Sequence, residues 1–188
     1  MHIENDQFIR KIIAKFPSAF KGAKSLGIGT FDVVGTERQY FDGGDYQGLD
    51  LMPGRGVDIV CAAQDYDAPD NTYDTIISSE CFEHNEMWKE TLHNAYRMLR
   101  PGGLLVITCA TTGRKEHGTA RMEAASKLKY PHWRSMPNVL LEGIDNDYYQ
   151  NLTEADFYRA MDFDGAFSAY EFEIEEPHCD LYLWAIKR

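Results

Sequence analysis

The chain has 188 residues, 44% of them hydrophobic and 26% charged, a balance that suits one folded domain around one core and excludes a disordered chain. The formal net charge of −11 would repel a phosphate backbone, and no Lys/Arg cluster offsets it, so nucleic acid is not an expected partner. No apolar run approaches the roughly 20 residues needed to cross a bilayer, and Met1 to Arg10 lacks the apolar core of a secretory leader, so no membrane association is expected.

The first predicted element is a helix over Asn5–Phe16. Phe8, Ile9, Ile12, Ile13 and Phe16 follow the i, i+3, i+4 spacing of one buried face, and Pro17 ends the run. Strand-type runs then recur at Lys24–Ile28, Tyr46–Asp50, Val57–Ala62, Tyr73–Ser78, Leu104–Ala110, Tyr170–Ile174 and Leu181–Ile186. Several are almost continuously apolar, as strands covered on both faces must be. Between them, Asn85–Leu99 reads as a helix with Met87, Trp88, Leu92, Ala95, Tyr96 and Leu99 on one side, stopped by Arg100-Pro101-Gly102-Gly103. Thr153 is placed to cap a later helix through Phe157 and Met161, with Asp156 in the capping-box position.

Strands alternating with helices predict a parallel α/β sheet with right-handed crossovers. The last two strands depart from that. Only Glu175 to Asp180 separates them, too short for a parallel crossover, so they should close the sheet as an antiparallel hairpin. The long connection from Thr111 to Leu152, rich in polar and aromatic residues, is the expected acceptor-binding region of a single domain spanning residues 1–188.

Cys61, Cys81, Cys109 and Cys179 are scattered, without a Cys-x-x-Cys pair. They read as free thiols in a reducing compartment, the cytoplasm, with neither a disulfide frame nor a metal site.

The first strand runs into Gly27-Ile28-Gly29-Thr30-Phe31-Asp32-Val33-Val34-Gly35. A glycine at such a turn lets the backbone approach a ligand, and the start of the helix expected to follow would offer free N–H groups to an anion. A plain tight turn explains the glycines equally well until context is added. The context is Asp50, which ends the second strand 21 residues after Gly29. In doubly wound folds an acid there accepts hydrogen bonds from ribose hydroxyls.

These motifs belong to an ordered set. It comprises the glycine turn, Gly48-Leu49-Asp50, the run from Asp65 to Ser78, Glu80-Cys81-Phe82-Glu83-His84, and the run from Arg97 to Leu105. The set covers about Ser25 to Thr108 and resembles the type 11 group of S-adenosylmethionine-dependent methyltransferases. The resemblance implies a Rossmann-like, mostly parallel seven-stranded sheet with a C-terminal antiparallel hairpin and helices on both faces. It also implies S-adenosylmethionine as cofactor. Gly29, Thr30 and Phe31 match the loop near the cofactor's methionine part, Asp50 the ribose-binding acid, and Leu51 the side chain against adenine. Ala63 and Gln64 fall at the adenine edge; Ser79 and Glu80 fall beside the sulfonium and the amino-acid tail. The chain departs from the pattern at Gly27 and Ala62, where the group usually has acids, and at Phe31, where most members have glycine. Asp65 could stand in for the acid missing at Ala62.

His84 could act as a base beside the cofactor, although a structural place at the start of the next helix explains the Glu83-His84 pair better. In the acceptor region Thr111, Arg114, His117, Arg121, His132, Trp133, Tyr148 and Tyr149 are candidates, with His117 the first choice for accepting a proton. The acceptor itself is expected to be a small molecule. Two other readings are an inert methyltransferase-like binding module and a nicotinamide-dependent oxidoreductase. The second lacks the required third glycine, since position 32 is Asp.

Overall fold

A computed structural model describes residues 3–32, 35–119 and 148–188. Its elements are α1 (Ile3–Lys15), β1 (Lys24–Ile28), β2 (Asp45–Asp50), β3 (Ile59–Val60), β4 (Tyr73–Ser79), α2 (Trp88–Met98) and β5 (Leu99–Ala110). They continue with α3 (Glu154–Ala160), the single turn α4 (Phe163–Ala166), β6 (Phe167–Glu175) and β7 (Asp180–Lys187). The strands form one sheet in the order β3-β2-β1-β4-β5-β7-β6. The pairs among β1 to β5 are parallel, and β7 runs antiparallel to both β5 and β6. The hairpin inferred from the short Glu175–Asp180 link is therefore present.

Period-two alternation divides the core between the two faces. On β5, Leu104 and Val106 point to one side, where Phe8, Ile9 and Ile12 of α1 cover them together with Tyr182 and Trp184 of β7. Leu105, Ile107 and Cys109 point to the other side, against Trp88, Leu92 and Ala95 of α2 and Phe157 and Phe163 of α3 and α4. Helices thus lie on both faces, and the central strands are sealed.

Among the described residues a single 3-10 turn, Glu37–Tyr40, stands after β1 where a helix was expected, and of the boundaries that differ from the sequence reading three have a visible local reason. β3 shrinks from the expected Val57–Ala62 to two residues, because its ladder with β2 holds only Leu49–Ile59 and Asp50–Val60. The second helix begins at Trp88 and not at Asn85, because the Asn85 carboxamide oxygen accepts the Met87 N–H at 2.9 Å and its NH2 donates to Thr91 Oγ1 at 2.8 Å. Such a local side-chain loop holds Asn85 outside the helix. β5 starts early, at Leu99 opposite Tyr73, and then shifts register so that Thr75 faces Leu104; Arg100 to Gly103 form the irregularity.

The Thr153 cap is as expected. Its backbone N–H and its hydroxyl both donate to the Asp156 carboxylate, at 2.8 and 2.6 Å. Phe157, one turn on, is wholly buried and touches the rings of Phe82, Trp88, Phe163 and Phe172. Phe157→Ala should therefore lower unfolding stability by about 3–5 kcal/mol in urea titration.

Candidate functional site

The chain turns back on itself at β1, whose neighbours β2 and β4 are reached in opposite directions across the sheet. Such a reversal, at the C-terminal ends of the strands, is where doubly wound folds bind their ligands. The backbone N–H groups of Gly29 and Thr30 donate to the Leu49 carbonyl at 2.9 and 3.3 Å, which brings the turn over the end of β2. Gly29 has φ +76°, and a Cβ there would lie 2.5 Å from both Cβ and Sγ of Cys81. Only glycine fits this close approach. The space above Gly29 is thus occupied by the chain's own Cys81.

The glycine turn and Asp50 meet directly. The Phe31 N–H donates to Asp50 Oδ2 at 3.0 Å, and the Met52 N–H donates to Oδ1 at 3.2 Å. Burial raises the Asp50 pKa, opposed by these backbone donors. Each carboxylate oxygen keeps a second lone pair for a further hydroxyl. Thr30 is buried, with its hydroxyl 3.3 Å from the Gly56 carbonyl. The Phe31 ring lies against Gly54, and Asp32 forms an ion pair with Arg55 at 2.7 Å, so the two loops clasp each other. Next to Asp50 in the chain and across the ladder, Leu51 and Val60 are each 55% exposed, which leaves apolar surface beside the carboxylate. Ala63 is buried and its carbonyl accepts from Asn94 at 2.8 Å, whereas Gln64 is half-buried and reaches Asp65 at 3.4 Å. Asp65 itself is exposed. At Gly27 a Cβ would collide with the Tyr46 hydroxyl and lie 2.5 Å from Thr30 Cγ2, so the room an acid would need is filled.

The other wall is the end of β4. Ser79 Oγ is buried beside the Glu37 carboxyl. Glu80 has φ +52°; its Oε1 accepts from Asn5 Nδ2 at 3.0 Å, and Arg114 lies 3.8 Å from its Oε2. Arg114 also donates to Asp180 at 3.1 Å and to the His178 carbonyl at 2.7 Å. Around this edge acids outnumber bases. Burial pushes Glu37 up to about 7. Burial and the charge of Glu80 raise Asp180 to about 7, against the opposing pull of Arg114. Cys81 is held as a neutral thiol by its burial and by the fields of Asp50, Glu83 and Glu37.

A second cluster, past the ends of β4 and β5, joins residues far apart in the chain. The rings of His84 and His117 stand edge to face with centroids 5.0 Å apart, and Tyr149 packs on both at 5.3 and 5.1 Å. The structure therefore brings the two histidine candidates together. Thr111 is buried, with its N–H bonded to the Cys179 carbonyl, and Tyr148 donates to Gln150. Arg121, His132 and Trp133 lie outside the described residues.

Sequence reading missed Asn5 and Glu37. For Asn5 a signal existed: it occupies the apolar register of α1 with Phe8, Ile9 and Ile12, and is fully buried there. A polar residue on a helix's core face calls for a partner, and here it is Glu80. Nothing in its neighbourhood marked Glu37.

Residues 12–176 match the sequence profile of a family described as a methyltransferase domain. The chain belongs to this family. No significant match exists among the curated proteins. Solved structures share the methyltransferase fold at low identity. A phosphoethanolamine N-methyltransferase 2 of Haemonchus contortus, seen with phosphomonomethylethanolamine and S-adenosylhomocysteine, is 17% identical with a TM-score of 0.63. The match covers 95% of this chain and 52% of that one, so this chain spans about half the length of that enzyme. The 1,6-didemethyltoxoflavin-N1-methyltransferase of Burkholderia thailandensis, with 1,6-didemethyltoxoflavin and S-adenosylhomocysteine bound, is 15% identical with a TM-score of 0.56, over 98% of this chain and 83% of that one. The CurJ carbon methyltransferase is 19% identical with a TM-score of 0.57, over 95% and 52%. Among the described residues of this methyltransferase domain, no helix is long and apolar enough to cross a membrane.

The raised pKa of Glu37 has a measurable consequence. From its ordinary value of 4.5 up to about 7, the folded domain keeps a proton that the unfolded chain has released, so stability falls as pH rises through this window and levels off above it. Glu37→Gln should remove that slope and stabilise the domain by about 3 kcal/mol at pH 8, with little change at pH 4, in denaturant titrations across pH.

Proposed function

We propose that this domain transfers the methyl group of S-adenosylmethionine to a small-molecule acceptor. The observation that carries the reading is the contact of the glycine turn with Asp50, through the Phe31 N–H at 3.0 Å, at the point where the sheet's strand order reverses. Asp50 would accept the ribose hydroxyls on its remaining lone pairs. Leu51 and Val60 would give adenine an apolar surface, and Ala63 and Gln64 would border its edge. The Gly29–Phe31 backbone would face the methionine part, with Ser79 and Glu80 at the sulfonium and amino-acid end. The Glu80 carboxylate at this edge suits a ligand that carries a sulfonium and an ammonium.

The cofactor supplies a methyl group already activated by positively charged sulfur. What the chain's residues contribute is alignment and exclusion of water. Cys81, kept as a thiol, does not compete for the methyl group as a thiolate would. His84 is lowered to about 4 by burial and by His117, so at neutral pH it is an uncharged imidazole. The acceptor would enter beside His84, His117 and Tyr149, in the region from residue 111 to 152. A small molecule is favoured by the net charge of −11. The two neighbours seen with a named acceptor, from Haemonchus and Burkholderia, hold small molecules. We read the chain as one cytoplasmic domain, in keeping with its four free thiols.

S-adenosylhomocysteine should bind and raise the melting temperature, because a ligand selective for the native state stabilises it. Asp50→Ala should weaken that binding by at least about tenfold, or ~1.4 kcal/mol, in titration calorimetry. Undiminished affinity in the variant, or binding of NADH with no response to S-adenosylhomocysteine, would overturn the reading.

A further inference from the structure

Glu83 is fully buried, and neither of its carboxylate oxygens makes a hydrogen bond of good geometry among the described residues. A carboxylate in such a place must keep a proton or meet a cation. Glu80 cannot supply the answer, being an acid already engaged with Asn5 and Arg114. The neighbours that can are two imidazoles. One ligand atom each from Glu83, His84 and His117 lies within 4.8 Å of the others.

We infer that Glu83, His84 and His117 form a binding site for a divalent first-row transition-metal ion. Two imidazole nitrogens and one carboxylate oxygen are a donor set that such ions take, with coordination positions left open. Both rings are prepared for the role. The His84 Nδ1 is buried with no hydrogen-bond partner among the described residues. His117 has its Nδ1 3.0 Å from the Lys115 carbonyl, which fixes that nitrogen as the N–H and leaves the lone pair on Nε2. Donation of the second ring N–H to a carbonyl is the usual outer support of a metal-bound histidine.

The surroundings fit as well. Tyr149 covers both rings and limits access of water. Gly118, at φ +68°, lets the loop lie so close on His84 that a Cβ would be 2.9 Å from the ring's Cε1. Ligands sharing one ion at about 2.1 Å are about 3.4 Å apart. The required contraction is therefore at most about 1.4 Å, within reach of a loop that carries His117 between two positive-φ glycines, Gly113 and Gly118. Resting on the methyltransferase reading, an ion here would lie one turn beyond Ser79 and Glu80 on the acceptor side, where an open coordination position could take an acceptor oxygen.

The test uses the whole chain after dialysis against a chelator. Titration calorimetry with Zn2+ or Mn2+ should give one equivalent bound, and Co2+ should produce visible absorption bands of a bound ion. Glu83→Gln and His117→Ala should each weaken metal binding by at least about tenfold, and His117→Ala should leave S-adenosylhomocysteine affinity, measured in parallel, unchanged. His117→Ala, on a half-buried loop, guards against simple misfolding of the Glu83 variant. Binding of less than half an equivalent at about 100 µM ion, or wild-type affinity in both variants, would overturn the metal site. If S-adenosylhomocysteine still binds in that case, the cofactor reading survives. Metal binding without a cofactor response would sink that reading and leave the metal site standing.

Discussion

A parallel strand covered by helices on both faces can present polar chemistry only at its ends, and this constraint organises the molecule. β4 shows it most clearly. Thr75 to Ser78 are sealed, with Ile77 facing α1 and Ile76 facing α2, so no side chain along that stretch can reach a ligand. The first residues free of the constraint are Ser79 and Glu80, and every further polar group of interest on this segment, Glu83 and His84, follows within five residues of the strand's end. β2 obeys the same rule, with Asp50 as its last residue. The site lies at the C-terminal edge because the interior has no room for it.

Gathering acids at one buried edge has an electrostatic cost, and the structure meets it unevenly. Asp50 is served by backbone N–H groups, Glu80 by Asn5 and Arg114, and Asp180 by Arg114. Even so, burial pushes Asp50, Asp180, Glu37 and Glu83 all upward, Asp180 and Glu37 to about 7. A domain selected for stability alone would have replaced such groups with apolar ones. Retaining them at the mouth of a crevice matches a site that receives positive charge.

Much of this was legible from sequence because it depends on short-range rules. The four residues between β6 and β7 allow only an antiparallel return, Thr153 and Asp156 are spaced for mutual hydrogen bonding, and the interval from Gly29 to Asp50 is one strand–loop–strand unit. Boundaries failed where a single side chain overrode the pattern. Asn85 stopped the helix from starting where the apolar spacing would begin it. β3 was cut short because a ladder's length depends on its neighbour and not on its own β-propensity. Cys81 over Gly29 could not be foreseen either, since a glycine's motif does not say which atom will occupy the space it frees.

The pairing of His84 with His117 is the largest gap between sequence and structure, and its origin is topological. The two lie 33 residues apart, with all of α2 and β5 between them, so no spacing rule for metal ligands or catalytic pairs applies. They meet because β4 and β5 are parallel neighbours whose C-terminal ends point the same way. The turn after one strand and the loop after the other must then emerge side by side. Motifs that end adjacent parallel strands, here Glu83-His84 and the loop from Thr111 to Thr119, should therefore be read as one constellation even when the chain between them is long. By that logic the crevice has two functionally separate flanks. The end of β2, with the Gly29 turn, forms one flank, and the paired ends of β4 and β5 form the other.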